Sequence, residues 1–191
     1  MTFLMTGIFA DAGASEPACQ TIEASARVHT LEAGEFLIRQ GDPAPYIYMI
    51  REGLVKMFYI TADGKEFVKS FIHEGQFTGS LAAQVEVGES TFSVVCLEPV
   101  TVEAVPFAAV KALIDEDPKV LRFFYEFFFA LALKKERREY DFLCQTPENR
   151  YRQFVDENPQ LIGRVTQADI ARYLGITPVA LSRIRGRTKA R

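Results

Sequence analysis

The sequence is poor in the residues that bind metal ions or cross-link secreted domains. It contains three cysteines, Cys19, Cys96 and Cys144, and two histidines, His29 and His73. An odd number of widely spaced cysteines argues against a disulfide framework and against clustered zinc or iron–sulfur ligands, and is typical of a reducing cytoplasm. A cupin-like metal enzyme needs two or three histidines with a carboxylate at ligand spacing. We therefore expect no metal, and that enzyme class is a remote alternative.

Long apolar runs and targeting signals are lacking as well. The most apolar stretch, Val120 to Leu133, is interrupted by Arg122 and Glu126 and is shorter than the roughly 20 residues that cross a bilayer. The N-terminus contains no basic segment, so a signal peptide is not expected. We expect a cytoplasmic protein with no membrane partner and no enzymatic activity.

Positive charge is concentrated near the C-terminus. The formal net charge is −3, yet the segment from Arg164 to Arg191 holds six arginines and one lysine against one acid, Asp169. This segment carries about +6 and the remainder about −9. A basic terminus on an acidic body favours a polyanionic partner such as DNA, although a solvated basic tail has the same composition.

Residues 28–105 contain short β-rich runs separated by turn residues, a spacing that predicts an antiparallel sandwich, barrel or roll. Asp63-Gly64 lies between two alternating runs and predicts a hairpin. Before this region only Ser15-Glu16-Pro17 indicates a helix start. The predicted strands are Phe36–Ile38, Tyr46–Ile50, Leu54–Ile60, Phe67–Ile72, Phe77–Leu81, Thr91–Leu97 and Val100–Val105.

The sequence becomes helical at Pro106. A short helix is predicted from Pro106 to Ile114 and a long one from Asp117-Pro118 to about Cys144, because an acid followed by proline favours a helix start. Residues 134–139 are charged and predicted to be solvated. A last helix start at Thr146-Pro147-Glu148 marks a domain boundary. We expect an α+β chain with a β-roll at 1–115, a dimerisation helix at 116–145 and a helical domain at 146–191.

The long helix has two apolar stripes. Val120, Phe124, Phe127 and Leu131 form one, and Leu121, Phe128 and Ala132 form the other. A helix that is apolar on two faces must be covered on two sides, so we expect one side to lie on the β-roll and the other to form a homodimer. A helix buried in a monomer core is the alternative. The expected dimer-helix residues are Val120, Phe124, Phe127, Phe128 and Leu131.

The C-terminal segment has the pattern of a helix-turn-helix. Thr166 and Asp169 resemble a capping box. Ala171 stands where the second helix must cross closely, and Gly175 stands where a left-handed residue ends the first helix. Thr177-Pro178 then begins the second helix. The apolar positions that hold the two helices together are Ile170, Leu174, Ile176, Leu181 and Ile184.

A helix-turn-helix places its second helix in the major groove of DNA. Arg183 is the candidate for a bidentate contact to guanine, whereas Arg185, Arg187, Lys189 and Arg191 are candidates for phosphate contacts. The first turn is mainly apolar and suits thymine methyl groups. The expected DNA-contacting residues are Thr166, Gln167, Thr177, Pro178, Val179, Ser182, Arg183, Arg185, Arg187 and Lys189.

A β-rich domain followed by a long helix and a helix-turn-helix resembles the Crp/Fnr family of bacterial regulators, over nearly the whole chain from Val28. The resemblance implies a cyclic-nucleotide-binding-type jelly roll, a parallel dimer helix and effector-controlled binding to a pseudo-palindromic operator. It implies double-stranded DNA, a second copy of the chain and RNA polymerase as partners. The motifs that carry it are Leu31-x-x-Gly34-Glu35, Gly41-Asp42, Tyr48-x-Ile50-x-x-Gly53, Gly75-x-Phe77-x-Gly79-x-Leu81 and Thr177-Pro178-x-x-Leu181-Ser182-Arg183-Ile184-Arg185.

The chain departs from the family at the effector pocket. Members that bind cyclic nucleotides carry a glutamate for the ribose and an Arg-Ser or Arg-Thr pair for the phosphate. Here Ser80 replaces the acid, and Ser90-Thr91-Phe92 stands where Arg-Ser-Ala is found. We therefore do not expect cAMP as the effector and assign no cofactor. The expected pocket for an unidentified small molecule comprises Phe77, Gly79, Ser80, Leu81, Ser90, Thr91 and Phe92.

A second departure lies in the DNA-binding region. Pro178 and Val179 stand where family members carry an arginine and a glutamate that contact bases, so operator preference does not transfer. The expectation is a helix-turn-helix that lacks a full β-hairpin wing, because the sequence ends at Arg191. A nucleotide-sensing or protein-interaction module with a degenerate helix-turn-helix is the alternative.

Overall fold

The computed structural model describes residues 3–85 and 88–189, without the side chains of Val85, Thr188 and Lys189. Two short helices come first, α1 (Leu4–Asp11) and α2 (Glu16–Ser25). Helix α2 starts as predicted, because the Ser15 hydroxyl accepts the Ala18 N–H and proline occupies the first turn. Helix α1 was not predicted.

The start of α1 is stabilised by a distant carboxylate. Glu103 is fully buried and accepts the N–H groups of Leu4 at 2.6 Å and Met5 at 3.0 Å. The guanidinium of Arg51 donates to the same carboxylate at 3.0 Å. Both the arginine and the positive end of the helix dipole therefore compensate the buried charge. Local sequence around Phe3 gives no sign of this cap, since it comes from a strand about a hundred residues away.

Eight strands in the described part of the chain form two antiparallel sheets. The sheet orders are β1-β8-β3-β6 and β2-β7-β4-β5, which confirms the predicted β-roll. All seven predicted strands are present, and β1 is an addition whose mostly exposed residues hide the alternation that marks the others. The strands are β1 (Arg27–Leu31), β2 (Phe36–Ile38), β3 (Tyr46–Glu52), β4 (Val55–Ile60), β5 (Glu66–Ile72), β6 (Phe77–Thr78), β7 (Ser93–Cys96) and β8 (Val100–Pro106).

Strand β6 is shorter than the predicted Phe77–Leu81. Ser80 ends it, because its hydroxyl accepts the Ala83 N–H and thereby caps a one-turn helix, α3 (Ala82–Val85). The predicted hairpin between β4 and β5 is confirmed, with Gly64 at φ +79° and a hydrogen bond from Thr61 N to Lys65 O.

The remaining helices follow the roll. The described residues form α4 (Phe107–Glu116), α5 (Pro118–Cys144), α6 (Pro147–Glu157), a 3₁₀ turn (Pro159–Leu161), α7 (Gln167–Leu174) and α8 (Pro178–Lys189). Helix α5 begins and ends where predicted. The Asp117 carboxylate accepts the N–H groups of Ser15, Lys119 and Val120, and these bonds, that from Ser15 foremost, lower its pKa to about 2.

The structure places the five residues expected to form the dimer helix, Val120, Phe124, Phe127, Phe128 and Leu131, on the face of α5 that packs within the chain, and not on its outer face. Val120 and Phe124 are buried against α1, α2 and α4, and Phe127 packs beside them. Phe128, which was grouped with Leu121 and Ala132 in the second stripe, also faces inward, because its ring lies 5.9 Å from that of Phe124 and 5.4 Å from that of Phe127. The outer apolar face instead consists of Leu121, Tyr125, Phe129 and Ala132, all exposed.

A third apolar core joins the roll to the C-terminal helices. Leu54, Val68 and Phe71 of the roll pack with apolar residues of α6, α7 and α8, including Phe154 and Leu174. The predicted boundaries at residues 115 and 145 stay predictions, but the ranges they separate share buried surface. Within the described residues, none of the helices combines the length and apolar character needed to cross a membrane.

Candidate nucleic-acid interface

Helices α7 and α8 have the geometry of a helix-turn-helix. The Thr166 hydroxyl accepts the Asp169 N–H at 3.1 Å and starts α7. Gly175 ends it at φ +68°, and a Cβ there would lie 2.6 Å from the Phe142 ring. Ala171 is fully buried, as required of the position that the second helix crosses. The four helix residues predicted to hold α7 and α8 together, Ile170, Leu174, Leu181 and Ile184, are buried, and Ile176 is partly buried.

Asp169, in the first turn of α7, also connects this helix to the roll. It is buried and lies 3.0 Å from the amine of Lys56 on β4 and 3.2 Å from the guanidinium of Arg172. Burial by itself would raise the pKa of Asp169, but hydrogen bonds from Thr166 and Lys56 and the charge of Lys56 hold it below its usual value. The first helix of the motif is therefore bound to the roll through an ion pair that the sequence pattern did not predict.

The face that α8 turns away from the protein carries most of the predicted DNA contacts. Thr177 caps the helix by accepting the Ala180 N–H at 3.2 Å. Val179 is 61% exposed, and Pro178, Ser182 and Arg183 are exposed as well. Thr166 and Gln167 are also exposed, at the start of α7. Pro178 and Val179 form an apolar edge beside the cationic Arg183, a combination suited to thymine methyl groups and guanine.

The basic residues of the C-terminal segment fall into two groups. Arg164 pairs with Glu74 and Glu98, Arg172 with Asp169 and Glu66, and Arg187 with Glu148. Arg183 and Arg185 have no carboxylate within ion-pair distance among the described residues. The charge predicted for the segment is thus partly neutralised by the acidic body. Lys189 ends α8, but its side chain and all of Arg191 lie outside the described residues.

Arg138 of α5 connects three elements. Its guanidinium donates to the carbonyls of Lys69 at 2.5 Å and Val68 at 3.0 Å on β5, and of Tyr173 at 3.1 Å on α7. It also lies 4.1 Å from the centre of the Tyr173 ring. The prediction that residues 134–139 are simply solvated is wrong for Arg138, because the charged run meets the sheet and α7 at this one position.

A third polar connection lies near the turn between β5 and β6. Arg164 bridges Glu98 and Glu74, the latter at 2.7 Å, and Glu74 also accepts the Gly53 N–H. The hydrogen bond from Arg164 lowers the pKa of Glu74 to about 2. Together with Lys56–Asp169 and Arg138, this cluster orients the C-terminal helices against the roll. We name the three connections the docking contacts.

A cavity of about 140 Å³ lies between the roll and α5. Four of the seven predicted effector-pocket residues, Phe77, Gly79, Ser80 and Leu81, line it. The structure does not bring the other three to it. Ser90 and Phe92 are buried in the roll, where the Ser90 hydroxyl donates to the Phe92 carbonyl, and Thr91 is exposed. Lining residues that were not predicted as part of the pocket include Met57, Lys69, Phe124, Phe127, Leu131, Lys134 and Lys135.

An antiparallel β-roll, a long helix and a C-terminal helix-turn-helix with an exposed second helix define the class of this protein by its fold. Residues 28–117 match the family described as cyclic nucleotide-binding domain. The transcriptional activator protein anr of Pseudomonas aeruginosa is 32% identical over 96 residues, which cover 50% of this chain and 38% of that protein. Electron transport regulator A of Shewanella oneidensis is 26% identical over 174 residues, 84% of this chain and 68% of that protein.

Solved structures share the fold. The structure of FixK2 from Bradyrhizobium japonicum superposes with a TM-score of 0.73 at 21% identity, over 86% of this chain and 85% of that chain. The chain resembles the Crp/Fnr family in its sequence motifs, in the matched domain and in its fold. The two relatives named above are regulators rather than enzymes. The chain spans less than half the length of the first of these relatives.

Proposed function

We propose that this protein is a DNA-binding transcription regulator of the Crp/Fnr type. The observation that carries the proposal is the exposed face of α8, where Arg183 and the apolar edge of Pro178 and Val179 project together. Most other arginines of the segment are held in ion pairs with the protein itself. A surface that keeps Arg183 and Arg185 without carboxylate partners in the described structure suits the major groove and its flanking phosphates.

The proposed roles of the arginines differ. Arg183 reads a guanine, and Arg185 binds phosphate. Arg187 binds phosphate after it leaves Glu148, since the pair is exposed and exchanges with solvent at little cost. Thr166 and Gln167 contribute a contact at the start of α7, and Thr177 and Ser182 contribute hydroxyl contacts from α8.

The regulator is proposed to act as a homodimer through α5. Leu121 is 51% exposed, Tyr125 66% and Phe129 57%, and the four-residue spacing puts them on one helix face. The rings of Tyr125 and Phe129 stack with centres 6.2 Å apart. A continuous exposed apolar stripe on a helix of 27 residues is the form of a helix–helix interface. Two recognition helices would then meet a pseudo-palindromic operator about one helical turn apart, ~34 Å.

The cavity between the roll and α5 is the proposed effector site. The cavity adjoins α5, which carries the proposed dimer face, and β5, whose Lys69 carbonyl accepts a hydrogen bond from Arg138. A ligand in the cavity would therefore alter the dimer face and this hydrogen bond. Ser80 caps α3 and presents no acid for a ribose, and the residues at the phosphate-binding positions lie away from the cavity. These contacts favour an effector other than cAMP.

The test is a binding titration with promoter DNA from the protein's own operon at several salt concentrations. We expect salt-sensitive binding, and Arg183→Ala should lose about 1–3 kcal/mol of discrimination at one base position. Arg185→Ala should weaken all sequences alike and lower the salt slope. Arg137→Ala is the matched control, because it removes the same charge from an exposed site on α5. Absence of salt-sensitive binding would instead indicate a protein-interaction module.

A further inference from the structure

The walls of the effector cavity are rich in aromatic residues. Phe77, Phe124, Phe127 and Phe128 line it together with Leu131. The rings of Phe77 and Phe127 meet edge to face with centres 5.7 Å apart. An apolar cavity of about 150 Å³ is known to stay dry and to bind benzene, so a space of this size and lining suits one aromatic ring or a short branched chain.

Positive charge borders the same cavity. Lys69 of β5 and Lys134 and Lys135 of α5 line it, and they also line the adjoining cleft between α5 and α6. These lysines therefore stand where the apolar space meets the polar cleft. The cleft is also lined by Arg137, Arg138 and Arg150 and by the acids Asp141 and Glu157.

The three lysines are not neutralised by acids. No carboxylate lies within ion-pair distance of their amines in the part of the chain that the structure describes. The Lys69 amine instead lies over the Phe92 ring, 3.7 Å from its centre. Burial, with the neighbouring charge of Lys135, lowers the pKa of Lys69 to about 8. Uncompensated cations beside an apolar cavity favour an anion over a neutral ligand.

We propose that the cavity binds a small monocarboxylate with an aromatic or branched apolar body, which packs among the phenylalanines while its carboxylate contacts the lysines. The proposal rests on the proposed function, because it takes this cavity as the effector site. The ligand's carboxylate would lie next to Lys69, whose carbonyl accepts a hydrogen bond from Arg138. Ligand binding in the cavity would thus alter the Arg138 docking contact of the C-terminal helices.

The test is calorimetric titration of the full chain with benzoate, phenylacetate and isovalerate, each compared with its own primary amide. We expect at least one acid to bind at least tenfold more tightly than its amide. A double substitution, Lys69→Gln with Lys135→Gln, should weaken that acid at least tenfold and leave the amide within twofold. Lys111→Gln, which removes an exposed lysine on α4, should change neither. Leu131→Trp should fill the cavity and abolish binding of both the acid and the amide.

The proposal is overturned if none of the acids binds more tightly than its amide, or if the lysine variants bind the acid as well as the unaltered protein does. It is also overturned if cyclic AMP displaces the bound acid at lower concentration. DNA binding of the same preparations separates this inference from the proposed function. DNA binding without carboxylate binding defeats the inference alone, and carboxylate binding without DNA binding defeats the proposed function alone.

Discussion

Lys56 and Asp169 form a buried ion pair between the two halves of the protein, with the amine 3.0 Å from the carboxylate. Lys56 lies on β4 of the roll and is 8% exposed, whereas Asp169 lies in the first turn of α7 and is 5% exposed. Burying two charges is costly unless they satisfy each other, so this pair specifies one orientation of the helix-turn-helix on the roll. Arg172 and Glu66 extend it toward solvent.

Removing either partner of this ion pair should therefore lower the unfolding free energy of the protein substantially. Lys56→Met leaves the Asp169 carboxylate buried with Arg172 and Thr166 as its remaining partners, and we expect a loss of about 3 kcal/mol of unfolding free energy. Chemical denaturation measures it. A cycle with Asp169→Asn should give a coupling energy of about 1–3 kcal/mol between the two positions. Lys65→Met, at an exposed pair with Asp63, should cost under about 1 kcal/mol. Equal losses of unfolding free energy in Lys56→Met and Lys65→Met would contradict the conclusion that the Lys56–Asp169 pair is buried and stabilising.

Arg138 should control the mobility of α7. Arg138→Gln removes donors to the Lys69, Val68 and Tyr173 carbonyls. Each lost bond to a charged group is worth about 1.5–3 kcal/mol. We expect amide hydrogen exchange in residues 167–174 to accelerate at least tenfold, as followed by mass spectrometry. Arg137→Gln, which breaks only an exposed pair with Glu157, is the control and should leave exchange unchanged. Unchanged exchange in both variants would mean that the apolar core alone holds α7.

Glu74 should make the stability of the protein depend on pH in the acidic range. Its pKa in the folded protein is about 2, below the ordinary value of 4.5, because of the hydrogen bond from Arg164. A lowered carboxyl pKa contributes stability that is full above about pH 4.5 and is lost as the pH falls toward 2. Glu74→Gln should therefore be less stable than the unaltered protein near pH 6, and the difference should shrink between pH 4.5 and 2. A difference that does not vary with pH would show that Glu74 acts only through the Gly53 N–H.

The outer face of α5 should determine the oligomeric state. Tyr125→Glu puts a charge at the centre of the proposed interface, and a central aromatic residue of an interface is worth about 2 kcal/mol or more. This corresponds to roughly a 30-fold weaker dimer. Sedimentation equilibrium at micromolar concentration measures it. Ile162→Glu alters an exposed apolar residue outside α5 and should not change the mass. A monomeric unaltered protein, or a Tyr125→Glu dimer of undiminished affinity, would contradict the proposal.

Local patterns accounted for most of the fold. Alternating apolar residues located the strands, Asp117-Pro118 located α5, and Gly175 with Ala171 located the helix-turn-helix, because each depends on residues that are neighbours in sequence. Strand β1 and helix α1 escaped prediction. The first has mostly exposed residues, and the second is capped by Glu103 from a distant strand.

The docking contacts were not predictable in the same way. Lys56 and Asp169 are 113 residues apart, and no local sequence pattern around either residue indicates that the other is its partner. A lysine within the apolar run Leu54–Phe58 was nevertheless a signal that a buried acid must exist elsewhere. Arg138 gave no such signal, since it lies in a run of charged residues in an otherwise exposed segment of α5. The effector pocket was half predicted, because its second wall belongs to α5 rather than to the roll.

In the proposed complex, two copies of α8 read a symmetric DNA site. The decisive experiment is selection of bound sequences from a random DNA library by the full chain. We expect enrichment of an inverted repeat with half-sites about 10 base pairs apart, and loss of one conserved base position in each half with Arg183→Ala. Recovery of sequences with no enriched motif, or of an asymmetric single half-site unaffected by Arg183→Ala, would contradict it.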